Sequence, residues 1–398
     1  MANNQTGGSP FELATNTSFW NRNMRIQKSR QLGGNGMNNG NRRIALLSAL
    51  ALCLTILTGT VAKAADSIPT VKIMVGGLNK QIYLPAKLSE VLGNFKKYGL
   101  NVQLTDEPSG VEAETAMLSG EIDLVLGFYD HNIDLQTKGK STIDVATLLQ
   151  APGEVELCRT DLKDTFKSPA DWKNGVNAGV TGLGSSTNFL TKALATHAGV
   201  PLSQVHSLAV GAGNTFIAAM QQKAIDCGMT TEPTISRVLS SGLGYVLVDM
   251  RYGNLTHAAL GGPYVATCVY GRSDWVKANS ATVQKVVNAF YDTMQFIKKH
   301  TALQIAQQMP VDYYSAIGID AYAKALDDEK AMYNPSGRMV AGAPANILRV
   351  LASGNGYSKS VQSGVNLSAT YTNAYVQEAV SQVARTNAVL AAKAKKKK

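Results

Sequence analysis

The chain is poor in cysteine, in charge and in aromatic side chains, and beyond residue 60 it has no long apolar run. Four cysteines occur in 398 residues, Cys53, Cys158, Cys227 and Cys268, with none of the short spacings of a zinc or iron–sulfur site. His131, His197, His206, His257 and His300 also lack ligand spacing. No nucleophile–base pattern is visible, so the residues give no lead towards covalent or metal-assisted catalysis, and no cofactor is expected. No later stretch is apolar enough to span a bilayer. Hydrophobic residues make up 45% and charged residues 17%, an ordinary globular mixture long enough for two domains.

The basic balance, 38 Lys and Arg against 28 Asp and Glu, belongs to the two ends. Residues 1–64 hold seven basic residues and one acid, Glu12, and five lysines lie in the terminal "KAKKKK". The body between them has 26 basic and 27 acidic residues, which gives nucleic-acid binding no electrostatic support.

What the first 64 residues do contain is an export signal. Arg42 and Arg43 precede the apolar stretch Ile44 to Thr60, which ends in an A-x-A pattern at Ala62 and Ala64. Charged start, short apolar run and small-residue end predict a secretory signal peptide cleaved after Ala64. Met37 would open a conventional signal, and the polar, Asn- and Gly-rich segment before it reads as the product of a misplaced start codon. Leu52 before Cys53 is too large for a lipoprotein site. Cys53 leaves with the signal, and the other three cysteines allow at most one disulfide and a free thiol; buried and inert is their expected state.

The mature chain alternates strand and helix. "TVKIMVGGL", "LNVQLTD", "IDLVLG" and "TIDVATLLQ" read as strands, separated by helical stretches such as "IYLPAKLSEVLGNFKKYG" and "GVEAETAMLSGE". A second unit starts near "SPADWKNGVNAGVTG" and ends with "YVLVDM"; strand-like text returns in "PYVATCVYGRSDWV", followed by long helical stretches. Such alternation implies sheets with parallel crossovers. The second unit is inserted into the first, with crossings near Glu156–Asp161 and Asp249–Gly262. The expected organisation is residues 68–158 plus 252–355 as lobe 1, 159–251 as lobe 2, and 356–398 as a C-terminal extension with a polylysine end. The extension reads as a loop and an Ala-rich helix peripheral to binding.

One motif stands out. In "GVTGLGSSTNFLTKAL", Gly182, Gly184, Ser185, Ser186 and Thr187 lie between a strand and an apolar-periodic helix. Free N–H groups at a helix start attract an anion. Ser and Thr are also the preferred capping residues, and the motif alone fits either role.

Five stretches in order, "VGG…IYLPAKLSEVLGNFKKYGLNVQL", "AMLSGEIDLVLG", "SPADWKNGVNAGVTGLGSSTNFLTKALATHAGV", "AAMQQKAIDCGMTTEPTISRVL" and "GGPYVATCVYGRSDWVKAN", resemble the periplasmic solute-binding proteins of nitrate, sulfonate, taurine and thiamine-precursor ABC transporters. The resemblance implies a two-lobed α/β fold of the type II periplasmic-binding-protein class, each lobe a mixed sheet flanked by helices, with the ligand in the cleft between lobes. By matching motif it implies ligand contacts from Gly77, Asn79 and Tyr83; from Phe128, Tyr129 and Asp130; from Ser185, Ser186 and Thr187; from Asn214 and Thr215; and from Glu232 and Tyr264.

The function it implies is capture of a small solute, organic and anionic, by hinge closure, and delivery to an ABC permease in the inner membrane. The protein would be a periplasmic monomer without enzymatic activity. Two readings stand beside this one: a thiamine-pyrimidine precursor binder or pyrimidine-synthase-like enzyme, and a periplasmic sensor subunit. The scattered cysteines and the export signal speak against the enzyme, whose type carries a cysteine cluster.

Overall fold

The protein is described here by a computed structural model that covers residues 68–396. The expected signal peptide and its cleavage site lie outside the described residues. Among those residues no helix is long and apolar enough to cross a membrane.

Ten strands form two five-stranded sheets. The first contains β1 (Thr70–Val75), β2 (Asn101–Asp106), β3 (Leu124–Phe128), β4 (Thr142–Thr147) and β10 (Thr267–Arg272), in the order β2-β1-β3-β10-β4. The second contains β5 (Glu154–Arg159), β6 (Val176–Val180), β7 (Val205–Ala209), β8 (Cys227–Thr231) and β9 (Gly244–Met250), in the order β7-β6-β8-β5-β9. The plan is the same in both. Three strands run parallel, and the strand that enters from the other sheet, β10 or β5, lies antiparallel between the third and the fourth. Helical crossovers account for the parallel pairs.

The residues explain the elements. β3, "LVLGF", is buried throughout, as befits a strand covered on both faces. β2, at the edge of its sheet, alternates between exposed and half-buried positions at its start. The Gly110–Ser119 helix starts where Ser109 N–H donates to Glu112 Oε2 at 2.9 Å, the return half of a capping box.

Two expectations require correction. The boundary between lobes, expected at 158/159, lies earlier, because β5 pairs with β8 and β9 from Glu154 onwards. The first crossing therefore falls between Thr147 and Glu154, and the chain returns between Met250 and Thr267. The sequence hid this because β5 alternates. Val155 and Leu157 join one apolar layer of the second sheet, while Glu154 and Glu156 read as a solvent face; β5 is nevertheless flanked by strands on both sides and is buried throughout.

Segment 356–398, set apart as an extension, packs into the first lobe over its described part. Tyr357 Oη donates to Asp134, Asp144 N–H donates to Thr370 O at 2.9 Å, and the Ala374–Lys395 helix buries Val376, Ala379 and Val383 in the first lobe's core. Cys158 and Cys227, opposite each other on β5 and β8, are joined by a disulfide, and Cys268 is free and buried. Burial was expected for all three; the sequence had left the pairing open.

Candidate functional site

The two sheets turn the same ends towards each other. At that place β1 ends in the Gly76–Lys80 loop, β3 ends at Phe128, β6 ends before Thr181, β8 ends at Thr231, and β5 begins with Glu154. Ligands of open α/β sheets bind beyond strand ends of this kind. A small cavity of about 20 Å³ lies here. From the first lobe it is lined by Lys80, Ile82, Tyr83, Gly110, Phe128 and His131. From the second it is lined by Glu154, Thr181, Ser185, Ser186, Thr187 and Thr231. A wider cleft of about 260 Å³ adjoins it, with Gly77, Asn79 and Lys80 facing Gly211, Ala212 and Thr215.

The lobes are in close contact around the cavity. A side chain on Gly182 would bring its Cβ within 2.6 Å of Ser109 Oγ, an atom of the other lobe. Gln81 N–H donates to Glu232 O at 3.1 Å. The Ser186–His197 helix of the second lobe packs against the Ala343–Asn355 helix of the first, where Gly354 leaves room for the Phe189 carbonyl.

The glycine-hydroxyl turn divides into two parts. Thr187 Oγ1 accepts from Thr181 N–H at 3.0 Å and shares a hydrogen bond with Ser185 Oγ at 2.7 Å; Ser185 Oγ also donates to Gly182 O at 2.7 Å. These bonds hold the turn to itself. Ser186 points across the cleft, and its Oγ donates to Asp130 Oδ1 at 2.9 Å. No side chain caps the start of the Ser186–His197 helix, so its first N–H groups have no side-chain acceptor.

Charge is concentrated on and behind the walls. Tyr264 Oη donates to the other Asp130 oxygen at 2.6 Å. Burial pushes the Asp130 carboxyl above its ordinary range, with His131, Tyr264 and Ser186 pulling against it. His131 Nδ1 is 2.7 Å from Glu114 Oε2, an ion-pair distance outside good hydrogen-bond geometry. Burial works to lower the His131 pKa, but Glu114, Asp130 and Asp134 together outweigh it and hold it at about 9. Burial brings the Lys80 ammonium down to about 8 against the pull of Asp106, Glu154 and Glu112. Its Nζ donates to the carbonyl oxygens of Gly76 and of Pro108.

Of the residues singled out in the sequence, Tyr83, Phe128, Ser185, Ser186 and Thr187 line the cavity, and Gly77, Asn79 and Thr215 line the adjoining cleft. Asp130 and Tyr264 form a buried pair that reaches the cavity through Ser186. The other three have different surroundings. Tyr129 Oη bonds to Thr370 Oγ1, Asn214 Oδ1 accepts from Arg237 at 2.7 Å, and the Glu232 carboxylate accepts from Ser236 N–H and Oγ at 3.0 Å.

Lys80, His131, Glu154, Thr181 and Thr231 also line the cavity and were not singled out as contacts. Lys80 follows the expected loop by one position and Thr181 precedes the expected turn at Gly182 by one, which is the signal that could have found them. Glu154 had none, because β5 itself was not recognised. Among the described residues no group of three His, Cys, Asp or Glu is arranged to hold a metal ion.

The NMT1-like family matches residues 68–310, more than half of the chain. A protein of Bordetella bronchiseptica RB50 with a solved structure is 31% identical, over 79% of this chain and 97% of its own, with a TM-score of 0.74. The nitrate-binding protein NrtA of Synechocystis PCC 6803 has a TM-score of 0.63 at 13% identity, over 79% of this chain and 89% of its own, a likeness of fold alone. The protein YtlA of Bacillus subtilis is 23% identical over 282 residues, 68% of this chain and 76% of its own length.

Proposed function

We infer the function from membership: the chain belongs to the NMT1-like family, and its two-lobed fold is that of the periplasmic solute-binding proteins linked to ABC transporters. The protein captures a small solute between its lobes, outside the cytoplasmic membrane, and presents it to a permease. The observation that carries this reading is a cavity walled by both lobes at matching strand ends, with Tyr83 and Phe128 on one side and Ser185 to Thr187 on the other.

The finer reading is an organic solute with an acceptor or anionic head group. Ile82, Tyr83 and Phe128 offer apolar surface to a carbon body. The uncapped N–H groups at Ser186 and after offer donors to the head group, and the helix start favours negative charge there. A ligand that touches both lobes favours the closed state by its higher affinity for it. Nothing in this mechanism requires a reaction, and binding without catalysis is the reading adopted.

Thermal-shift screening of the exported protein against carboxylates, sulfonates, amino acids and nitrogen heterocycles tests the proposal. Binding to the native state alone raises the melting temperature, by an amount that grows with concentration. A shift confirmed by calorimetry at one site per chain is the expected result. No shift with any solute class would remove the solute-binding reading.

A further inference from the structure

We propose that the solute carries an N–H group, as an amine, amidine or ring amino group, that donates to Glu154, so that the protein selects an amino-bearing solute over an acceptor-only anion of the same shape. This rests on the solute-binding reading above and narrows it.

Glu154 opens β5 on the cavity wall and is 2% exposed. Its Oε2 is buried and has no hydrogen-bond partner among the described residues. Thr231, directly across the ladder on β8, is also 2% exposed, lines the same cavity and has an unpartnered Oγ1. Two buried, unpaired polar groups thus lie side by side and face one space. A buried acceptor left without a donor is costly, and native structures rarely tolerate it. An ionised carboxylate can only accept, so in that form its missing partner is a donor, while a protonated carboxyl and the Thr231 hydroxyl can serve either role.

The protein does not supply that donor. Lys80 is the cation on the wall, but its Nζ is directed to two backbone carbonyls. His131 faces Glu114. The Ser186 and Tyr264 hydroxyls are committed to Asp130. Burial and nearby Asp130 push the Glu154 carboxyl well above its ordinary range, against Lys80. An N–H donor bound at Glu154 would favour its ionised form against this shift. An acceptor head group on the Ser186–His197 helix start and an N–H group on Glu154 together satisfy both ends of the cavity.

The test uses matched pairs of solutes that differ only in the amino group: 3-aminopropanoate and propanoate, 2-aminoethanesulfonate and ethanesulfonate, 2-aminopyrimidine and pyrimidine. Titration calorimetry with the exported protein should show, in at least one pair, the amino member binding about tenfold more tightly or better, the factor that corresponds to one charge-assisted hydrogen bond. Glu154→Gln, which keeps the shape but presents a weaker acceptor, should lose most of that preference. The wild-type comparison stands even if the variant folds poorly. Equal or tighter binding by the acceptor-only member overturns the proposal and leaves the solute-binding reading intact. Unchanged preference in a folded Glu154→Gln also overturns it. Failure of all six solutes to bind counts against both.

Discussion

Ser186 and Asp130 are the first residues of two helices from opposite lobes, and a 2.9 Å hydrogen bond joins them across the cleft. Both are buried, at 5% and 0% exposure. The bond exists only while the lobes are together, so it belongs to the closed state and not to either lobe. This separates Ser186 from Ser185 and Thr187, whose bonds remain within their own turn.

Ser186→Ala is therefore expected to weaken ligand binding more than it lowers the melting temperature without ligand. A buried carboxylate that loses one of two hydroxyl donors costs roughly 1–3 kcal/mol, or about 5- to 100-fold in Kd. Tyr264→Phe removes the other donor, and the double variant should deviate from additivity because both act on Asp130. Thr187→Val, by contrast, should cost about 1 kcal/mol of folding stability with a smaller effect on Kd. Calorimetry and unliganded thermal melts check both. If Ser186→Ala only lowers the melting temperature, the inter-lobe role is lost.

Gly182→Ala should hinder closure. The added methyl would sit 2.6 Å from Ser109 Oγ and 3.1 Å from Ser109 Cβ in the opposite lobe, too close for either to keep its place. Within its own lobe the substitution is expected to be tolerated. Small-angle scattering with saturating ligand should show a larger radius of gyration than for the wild type, with Kd raised by about tenfold or more. Wild-type compaction and affinity in the variant would refute this.

Glu156 gives a pH signature. It is fully buried on β5, with Thr191 Oγ1 donating to Oε2 at 2.8 Å and Oε1 unpartnered. Burial pushes its carboxyl up to about 8, only partly offset by Thr191. The folded state then keeps a proton that the unfolded chain releases near pH 4.5, so the residue's contribution to stability declines from about pH 4.5 to about pH 8 and levels off above. Glu156→Gln should remove that decline, becoming more stable relative to the wild type as pH rises across this window. Denaturant melts at pH 5 and pH 8.5 measure it. A wild-type-minus-variant difference that does not change with pH would contradict the assignment.

The C-terminal helix should matter to folding, and its lysines should not. Removing residues 374–398 exposes the first-lobe surface covered by Val376, Ala379 and Val383, and it breaks the 2.7 Å bond from Asn288 to Gln382. Burying each valine contributes roughly 1.5–3 kcal/mol, so the truncated protein should melt on the order of 10 °C lower or aggregate. Removing residues 393–398 alone should leave melting temperature and Kd unchanged. Equal stability of the two truncations would overturn this account.

Much of the fold was legible in the residues. The alternation of apolar runs and helical periods marked most of the strands, and turn glycines marked several of their ends, because a strand buried on both faces and an amphipathic helix each leave a local pattern. The loop at Gly77 to Asn79, the Phe128 strand end and the Ser185 to Thr187 turn were legible for the same reason, as positions where an element stops. Tertiary structure alone decided that β5 belongs to the second sheet. β5 alternates Glu154, Val155, Glu156, Leu157 like a half-exposed edge, yet pairing with β8 and β9 places it inside, so the carboxylate of Glu154 ends up on the cavity wall. Local periodicity reports how an element partitions between water and interior when one face is free. It cannot report burial imposed on polar residues by strands and helices distant in the chain, and Lys80, His131, Glu154 and the Ser186–Asp130 bond are all of that kind.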